Sequence, residues 1–213
     1  MEVELVAYTQ GAEELCGMAA ATCTASADPM KSLGHAVAAG HTSVLEHASF
    51  TFRVSGLSRA ALAQLTRHRL ASFDVQSQRY VRLGKDMPLV IPESIQNSDL
   101  ELEARAVMDM AMDLYQRLVD DGVPAEDARY ITPQAVPTAL VMTMNARELL
   151  HFFSLRTCNR AQWEIREMAD EMLIQCRSVC PAIFEHAGPG CVTGRCPEAR
   201  PCGNPREKDE WEP

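Results

Sequence analysis

The segment RHRLASFDVQSQRY (67–80) gathers side chains that handle anions and heterocycles. Arg67, Arg69 and Arg79 fall within thirteen residues, His68 sits between the first two, and Asp74 is the single acid among them. A guanidinium grips phosphate through its planar fork, and a histidine between two arginines faces the opposite side of the chain. Gln76, Ser77 and Gln78 add neutral hydrogen-bonding groups of the kind that read a base or a sugar. Phosphate plus heterocycle points to a nucleotide. The competing reading is a solvated basic face paired with acids elsewhere in the chain.

The chain as a whole sharpens that choice. Its 213 residues carry 20 basic and 29 acidic side chains, a net charge of -9. Such a balance offers no broad basic surface for non-specific nucleic-acid binding, so an anion must be met by a local cluster. With 46% hydrophobic and 23% charged residues, the chain can bury a core without disulfides. No apolar run approaches the ~20 residues of a membrane helix. MEVELVAYTQ has an acid at position 2 and lacks the basic start of a signal peptide. The eight cysteines therefore read as reduced thiols of a cytoplasmic protein rather than as an exported disulfide framework.

Elements that would position these residues follow from periodicity. VELVAY (3–8) alternates as a first strand, and SFTFRVSG (49–56) puts Phe50, Phe52 and Val54 on one face of another. Asp28-Pro29 opens a helix over 29–39 that Gly40 stops. Ser58 caps a helix with Ala61, Leu62 and Leu65 inward; continued into RHR, it would bring Gln64, Arg67 and His68 onto one face. Ser98 and Glu101 form a capping box for a helix over 99–121, closed by Gly122. TALVMTM (138–144) is a buried strand. Asn145 and Glu148 form a second capping box, for a helix through Arg156. A last long helix from Arg160 turns Ala161, Ile165, Met168, Met172, Cys176 and Val179 inward and ends at Pro181. Helices and strands occur without regular alternation, which gives one α+β domain: a mixed or antiparallel sheet flanked by long helices, residues 1–186. An irregular tail rich in Cys, Pro and Gly, 187–213, follows it.

Arg67-His68-Arg69, seven residues, Ser77 and then Gln78-Arg79-Tyr80 resembles the signature of the flavin-dependent thymidylate synthases. HTSVLEHASFTF (41–52), DARYITP (127–133), NARELLHFFSLR (145–156) and AQWEIRE (161–167) resemble further segments of that family in the same order. The resemblance covers roughly residues 20 to 185. It implies conversion of dUMP to dTMP, with methylenetetrahydrofolate as carbon donor, FAD as hydride relay and NADPH as reductant. It also implies a homotetramer whose subunits share active sites, with neither nucleic acid nor membrane as partner.

By that resemblance Arg67, His68, Arg69, Asn145, Arg147 and His151 match FAD contacts, with Ser43 and the backbone of Val75 beside them. Gln64, Arg67, Gln76, Ser77, Arg79 and Arg129 match dUMP contacts, Arg79 suiting the phosphate. His41 and Tyr80 match neighbours of folate or flavin. Arg156 matches the residue at the uracil edge and is the catalytic candidate, because a guanidinium there favours the N3-deprotonated pyrimidine and makes C5 more nucleophilic. Asn145, at a helix start, presents free N–H groups to an anion. The chain departs from the family at Asp74-Val75, where polar residues are common, and at Arg160, often a histidine. Taken singly, His151 reads as a packed histidine, Arg129 as a surface arginine and Trp163 as core.

A thiolate nucleophile is the alternative chemistry for the same product. No cysteine here has a Pro-Cys-His setting, and Cys158, close to Arg156, is the one to test. Cys191, Cys196 and Cys202 follow a C-x4-C-x5-C pattern that misses the tight C-x2-C of zinc sites, so no metal is assigned. Two other functions compete: a different flavin-dependent nucleotide transferase on this scaffold, and a non-catalytic nucleotide- or RNA-binding module.

Overall fold

The computed structural model describes residues 1–84 and 86–213. In chain order the elements are β1 (Glu2–Tyr8), α1 (Ala12–Thr24), α2 (Pro29–Ala38), a 3-10 segment (Thr42–His47), β2 (Ser49–Ser58), α3 (Arg59–Leu65) and β3 (Ala71–Val75). There follow α4 (Glu93–Gln96), α5 (Glu101–Asp120), α6 (Ala125–Ala128), β4 (Pro137–Asn145), α7 (Ala146–Arg156), α8 (Trp163–Val179), α9 (Pro181–Phe184) and α10 (Gly190–Thr193). The strands form one antiparallel sheet in the order β1-β2-β4-β3. This is the α+β domain expected from the sequence, its sheet wholly antiparallel. Among the described residues no helix is long and apolar enough to cross a membrane.

Strict alternation makes β2 the centre of the core. Phe50, Phe52 and Val54 are fully buried, and Leu140, Met142 and Met144 of β4 lie beside them. Leu149, Phe152 and Phe153 of α7 and the Ile165–Cys176 stripe of α8 cover that face. A second, smaller cluster holds α5 through Met112, Tyr115 and Val119, and Gly122 (φ 91°) ends that helix in the left-handed region. After residue 187 the chain is mostly irregular, yet Trp211 is fully buried and its indole N–H donates to Asp170 at 2.7 Å.

Several local expectations change. The helix opened by Ser58 stops at Leu65, so Arg67, His68 and Arg69 lie beyond it in a turn, not on a helical face with Gln64. β3 and α1 were not anticipated; both are small or polar in composition, and packing rather than pattern fixes them. The Ser98–Glu101 box does not form: Ser98 donates to Ile95 O and Glu101 pairs with Arg105. Trp163 is 37% exposed rather than core.

One buried carboxylate anchors the route to the site. Glu164 of α8 accepts from Ser58 N at 2.7 Å and from Ser58 Oγ at 2.6 Å, and Ser58 Oγ in turn accepts from Ala61 N. The start of α3 is thereby pinned to α8. Replacing Glu164 by Ala leaves a buried N–H and hydroxyl without their acceptor, so urea unfolding should show a loss of about 1–3 kcal/mol.

Candidate active site

The turn after α3 meets the solvent-facing side of α7 across a cleft of about 800 Å³, lined by Arg67, His68, Arg69, Arg147, His151 and Arg156. His68 alone of the RHR triplet turns inward and is buried; its two arginine neighbours are exposed. The turn that closes α3, with Arg67 N donating to Gln64 O and His68 N to Leu65 O, sets His68 inward between two outward arginines.

His68 is held from both nitrogens. Arg156 Nε donates to His68 Nε2 at 3.0 Å, so Nε2 is the acceptor and Nδ1 carries the proton. That proton lies 3.0 Å from Glu148 Oε1. The side chains of His68 and Glu148 are 4% and 6% exposed, so the hydrogen bond lies almost out of solvent. The ring also packs edge-on against Phe152, centroids 4.9 Å apart, and against His151 at 6.0 Å. Burial pushes the His68 pKa below 6.5; Glu148 opposes that shift and Arg156 adds to it. Burial also lowers the pKa of Arg156. A neutral imidazole thus sits between a carboxylate and a guanidinium and fixes the direction of the latter.

The surrounding charge is unevenly satisfied. Arg147 pairs with Glu46. Among the described residues, Arg67 and Arg69 have no side-chain partner. Leu70, Leu150 and Leu155 complete the wall. Unpartnered guanidiniums next to leucines suit a ligand with an anionic part and a flat apolar part.

The family described as thymidylate synthase complementing protein matches residues 4–182. A curated flavin-dependent thymidylate synthase of Geobacter sulfurreducens is 47% identical, covering 97% of this chain and 96% of its own. The chain belongs to the flavin-dependent thymidylate synthase family. A counterpart in Pyrococcus furiosus is 47% identical over 80% of this chain and 74% of its own. Among solved structures, flavin-dependent thymidylate synthase ThyX from Helicobacter pylori, complexed with FAD and dUMP, superposes with a TM-score of 0.73 at 29% identity, covering 88% of this chain and 100% of that one. The UMP/dUMP methylase PolB from Streptomyces cacaoi, bound to 5-Br dUMP, gives 0.75 at 27%, covering 86% and 93%.

The sequence-derived site residues divide into groups. Arg67, His68, Arg69, Arg147, His151 and Arg156 share the cleft. Asn145 spends its side chain as helix cap, accepting from Glu148 N at 2.9 Å. The expected capping box is therefore half formed, because the Glu148 carboxylate goes to His68 instead of back to Asn145. His41 and Ser43 line a neighbouring cavity with Lys31 and His35, while Thr42 between them reaches the cleft. The remaining residues lie elsewhere. Asn145 is at the cleft end of β4, and β3 pairs from Ala71↔Met144 to Val75↔Leu140. A five-residue strand advances about 17 Å, which carries Val75, Gln76 and Ser77 away from the cleft. There Arg79 Nε donates to Glu126 Oε2 at 2.6 Å and Arg129 Nε to Glu126 O at 3.0 Å. Gln64 is exposed on α3 and Tyr80 is 80% exposed.

Glu148 is the residue the sequence reading missed. Its signal was phase: it lies four residues before Phe152 on the buried stripe of α7, where an acid requires a partner. The lowered pKa of His68 makes stability pH-dependent. Below pH 6.5 the unfolded chain binds a proton that the folded chain does not, so stability falls as pH drops from there toward the native pKa and is flat above. Urea midpoints between about pH 7.5 and 5.5 should show this slope, and His68→Gln should remove it.

Proposed function

We propose that this enzyme, a flavin-dependent thymidylate synthase with FAD as its cofactor, converts dUMP to dTMP. Methylenetetrahydrofolate supplies the carbon and NADPH the reducing equivalents. The reading is carried by the cleft in which two unpartnered arginines flank a partly buried His68–Arg156 hydrogen bond, in a chain of this family. FAD fits that donor set: Arg67, Arg69 and Arg147 offer forks for a pyrophosphate, and Leu70, Leu150 and Leu155 an apolar wall. Bound and reduced, FAD supplies the hydride that completes the methyl group. Arg156, held by His68, faces the uracil edge and stabilises the charge left when N3 loses its proton. His68 serves that arginine, since both its nitrogens are engaged within the chain.

Gln64, Gln76, Ser77, Arg79 and Arg129 hold the nucleotide, with Arg79 on the phosphate. Their placement away from the cleft of their own protomer supports a homotetramer in which one subunit's phosphate-binding face completes another's flavin cleft. Val107, Met110 and Leu114 support the same assembly: they run along one face of α5 with exposures of 61%, 72% and 40%, an apolar stripe that a partner helix would cover. Eight free thiols agree with a cytoplasmic location. Residues 1–186 form the catalytic domain, with 187–213 as a tail docked on it.

Purified protein should be yellow and form dTMP from dUMP in the presence of methylenetetrahydrofolate and NADPH. Arg156→Ala should retain the flavin absorbance and lose about 100-fold or more in turnover, the scale for removing one donor to developing charge. Wild-type turnover in that variant would remove Arg156 from the mechanism.

A further inference from the structure

Four of the eight cysteines, drawn from two distant segments, converge on a single cavity outside the cleft. Cys158 follows the end of α7, and Cys191, Cys196 and Cys202 come from the tail; all four line a space of about 470 Å³. The other thiols behave differently. Cys16, Cys176 and Cys180 are buried in the main core, where desolvation pushes Cys16 up to about 11 and Cys180 to about 12. Cys23 is exposed and lines another cavity.

Two further observations bear on the cysteine cavity. The first is mechanical. From residue 190 to 210 no described residue is fully buried, and apolar packing against the core comes from the partly buried Val192, so little apolar burial holds this stretch on its course. Its polar ties to the segment after α7 are Arg206 Nη1 to Thr157 O at 3.2 Å, Asn159 Nδ2 to Asn204 O at 2.8 Å, and Arg160 to Arg200 O; beyond the last cysteine, Arg206 also pairs with Asp170 and Lys208 with Glu185. Segments without a core of their own are commonly stapled by disulfides or a metal. The second is electrostatic. Arg156 and Arg160 line the cavity, and among the described residues neither is paired with an acid, while Glu198 is the only carboxylate on its wall.

We propose that Cys158, Cys191, Cys196 and Cys202 form a tetrathiolate site for zinc(II). The reaction is simple coordination: four thiols release four protons to solvent, four S–Zn bonds form, and the centre carries a net charge of -2. That charge gives Arg156 and Arg160 the anion they lack, which two disulfides would not. The sulfurs line the wall without meeting at one point; among the described residues the only three candidate ligand atoms within 4.8 Å of one another are those of His68, Glu148 and His151. Bonds of about 2.3 Å require the tail to contract around the ion; Gly194, between Cys191 and Cys196, and Gly203, directly after Cys202, both have positive φ. Leu155 and Arg156 line both this cavity and the cleft, so the ion would brace the end of α7 that carries Arg156. The site itself does not depend on the dUMP reading.

The test is zinc content of the full-length protein after loading with zinc and desalting, read by mass spectrometry. About one ion per chain is expected, falling below about 0.2 in Cys196→Ser and in Cys202→Ser, with Cys23→Ser unchanged. Because a serine variant can fail to fold for other reasons, the wild-type enzyme is also titrated with an organomercurial. Zinc release to a colorimetric chelator should then track modification of about four thiols per ion. A desalted protein without zinc, iron in its place, disulfides among these four cysteines, or zinc retained by both serine variants would overturn the proposal.

Discussion

Burying a carboxylate is the constraint around which this structure is arranged. An unpaired buried charge costs several kcal/mol, so each buried acid must find a partner whose geometry is then fixed. Glu148 accepts the Nδ1 proton of His68, which leaves Nε2 to accept from Arg156. The order of donors along this line admits one tautomer, so one buried charge sets the proton position on the ring and the direction of the guanidinium. Glu164 does the corresponding work at the other end of α3, through Ser58. The RHR turn is held between these two acids: one fixes where the helix before it begins, the other where its histidine ends.

The same economy explains how an acidic chain presents a cationic cleft. The arginines that face the cleft from 67 and 69 have no acid opposite them among the described residues, whereas Arg79 pairs with the Glu126 carboxylate and Arg147 with Glu46; Arg129 donates to the Glu126 backbone carbonyl. Within the cleft Arg147 is neutralised, while Arg67 and Arg69 are left open. The edge strand β3 separates the two arginine groups, with Arg67 and Arg69 at one end and Arg79 and Arg129 beyond the other.

At its far end α7 lies between two cavities, with Arg156 on the walls of both. The tail that borders the second cavity is secured by hydrogen bonds and, at its end, by Trp211, whose ring is flanked by Arg177 and Arg206 at 5.6 and 4.7 Å. Order at the terminus and orientation at the site are therefore mechanically linked through one helix end.

Much of this was legible in the sequence. Two-residue periodicity gave the buried face of β2, with Phe50, Phe52 and Val54 inward; apolar spacing gave α8; Ser58, Asp28 and Asn145 marked helix starts that the structure caps with those same side chains. The types and spacing in RHRLASFDVQSQRY carried the nucleotide chemistry and the family. These are local properties, decided by side-chain alternation and hydrogen bonds within a few residues. What the sequence could not decide was which groups meet across the chain. Glu148 read as a capping acid because its competing partner is eighty residues away. RHR read as helix because the chain leaves α3 there for β3, a strand defined only by its pairing with β4. Cys158 read as a lone thiol near Arg156 until the tail folded back beside it. Each of these turns on long-range packing, which trades a local hydrogen bond for a buried partner whenever the buried one costs more to leave unpaired.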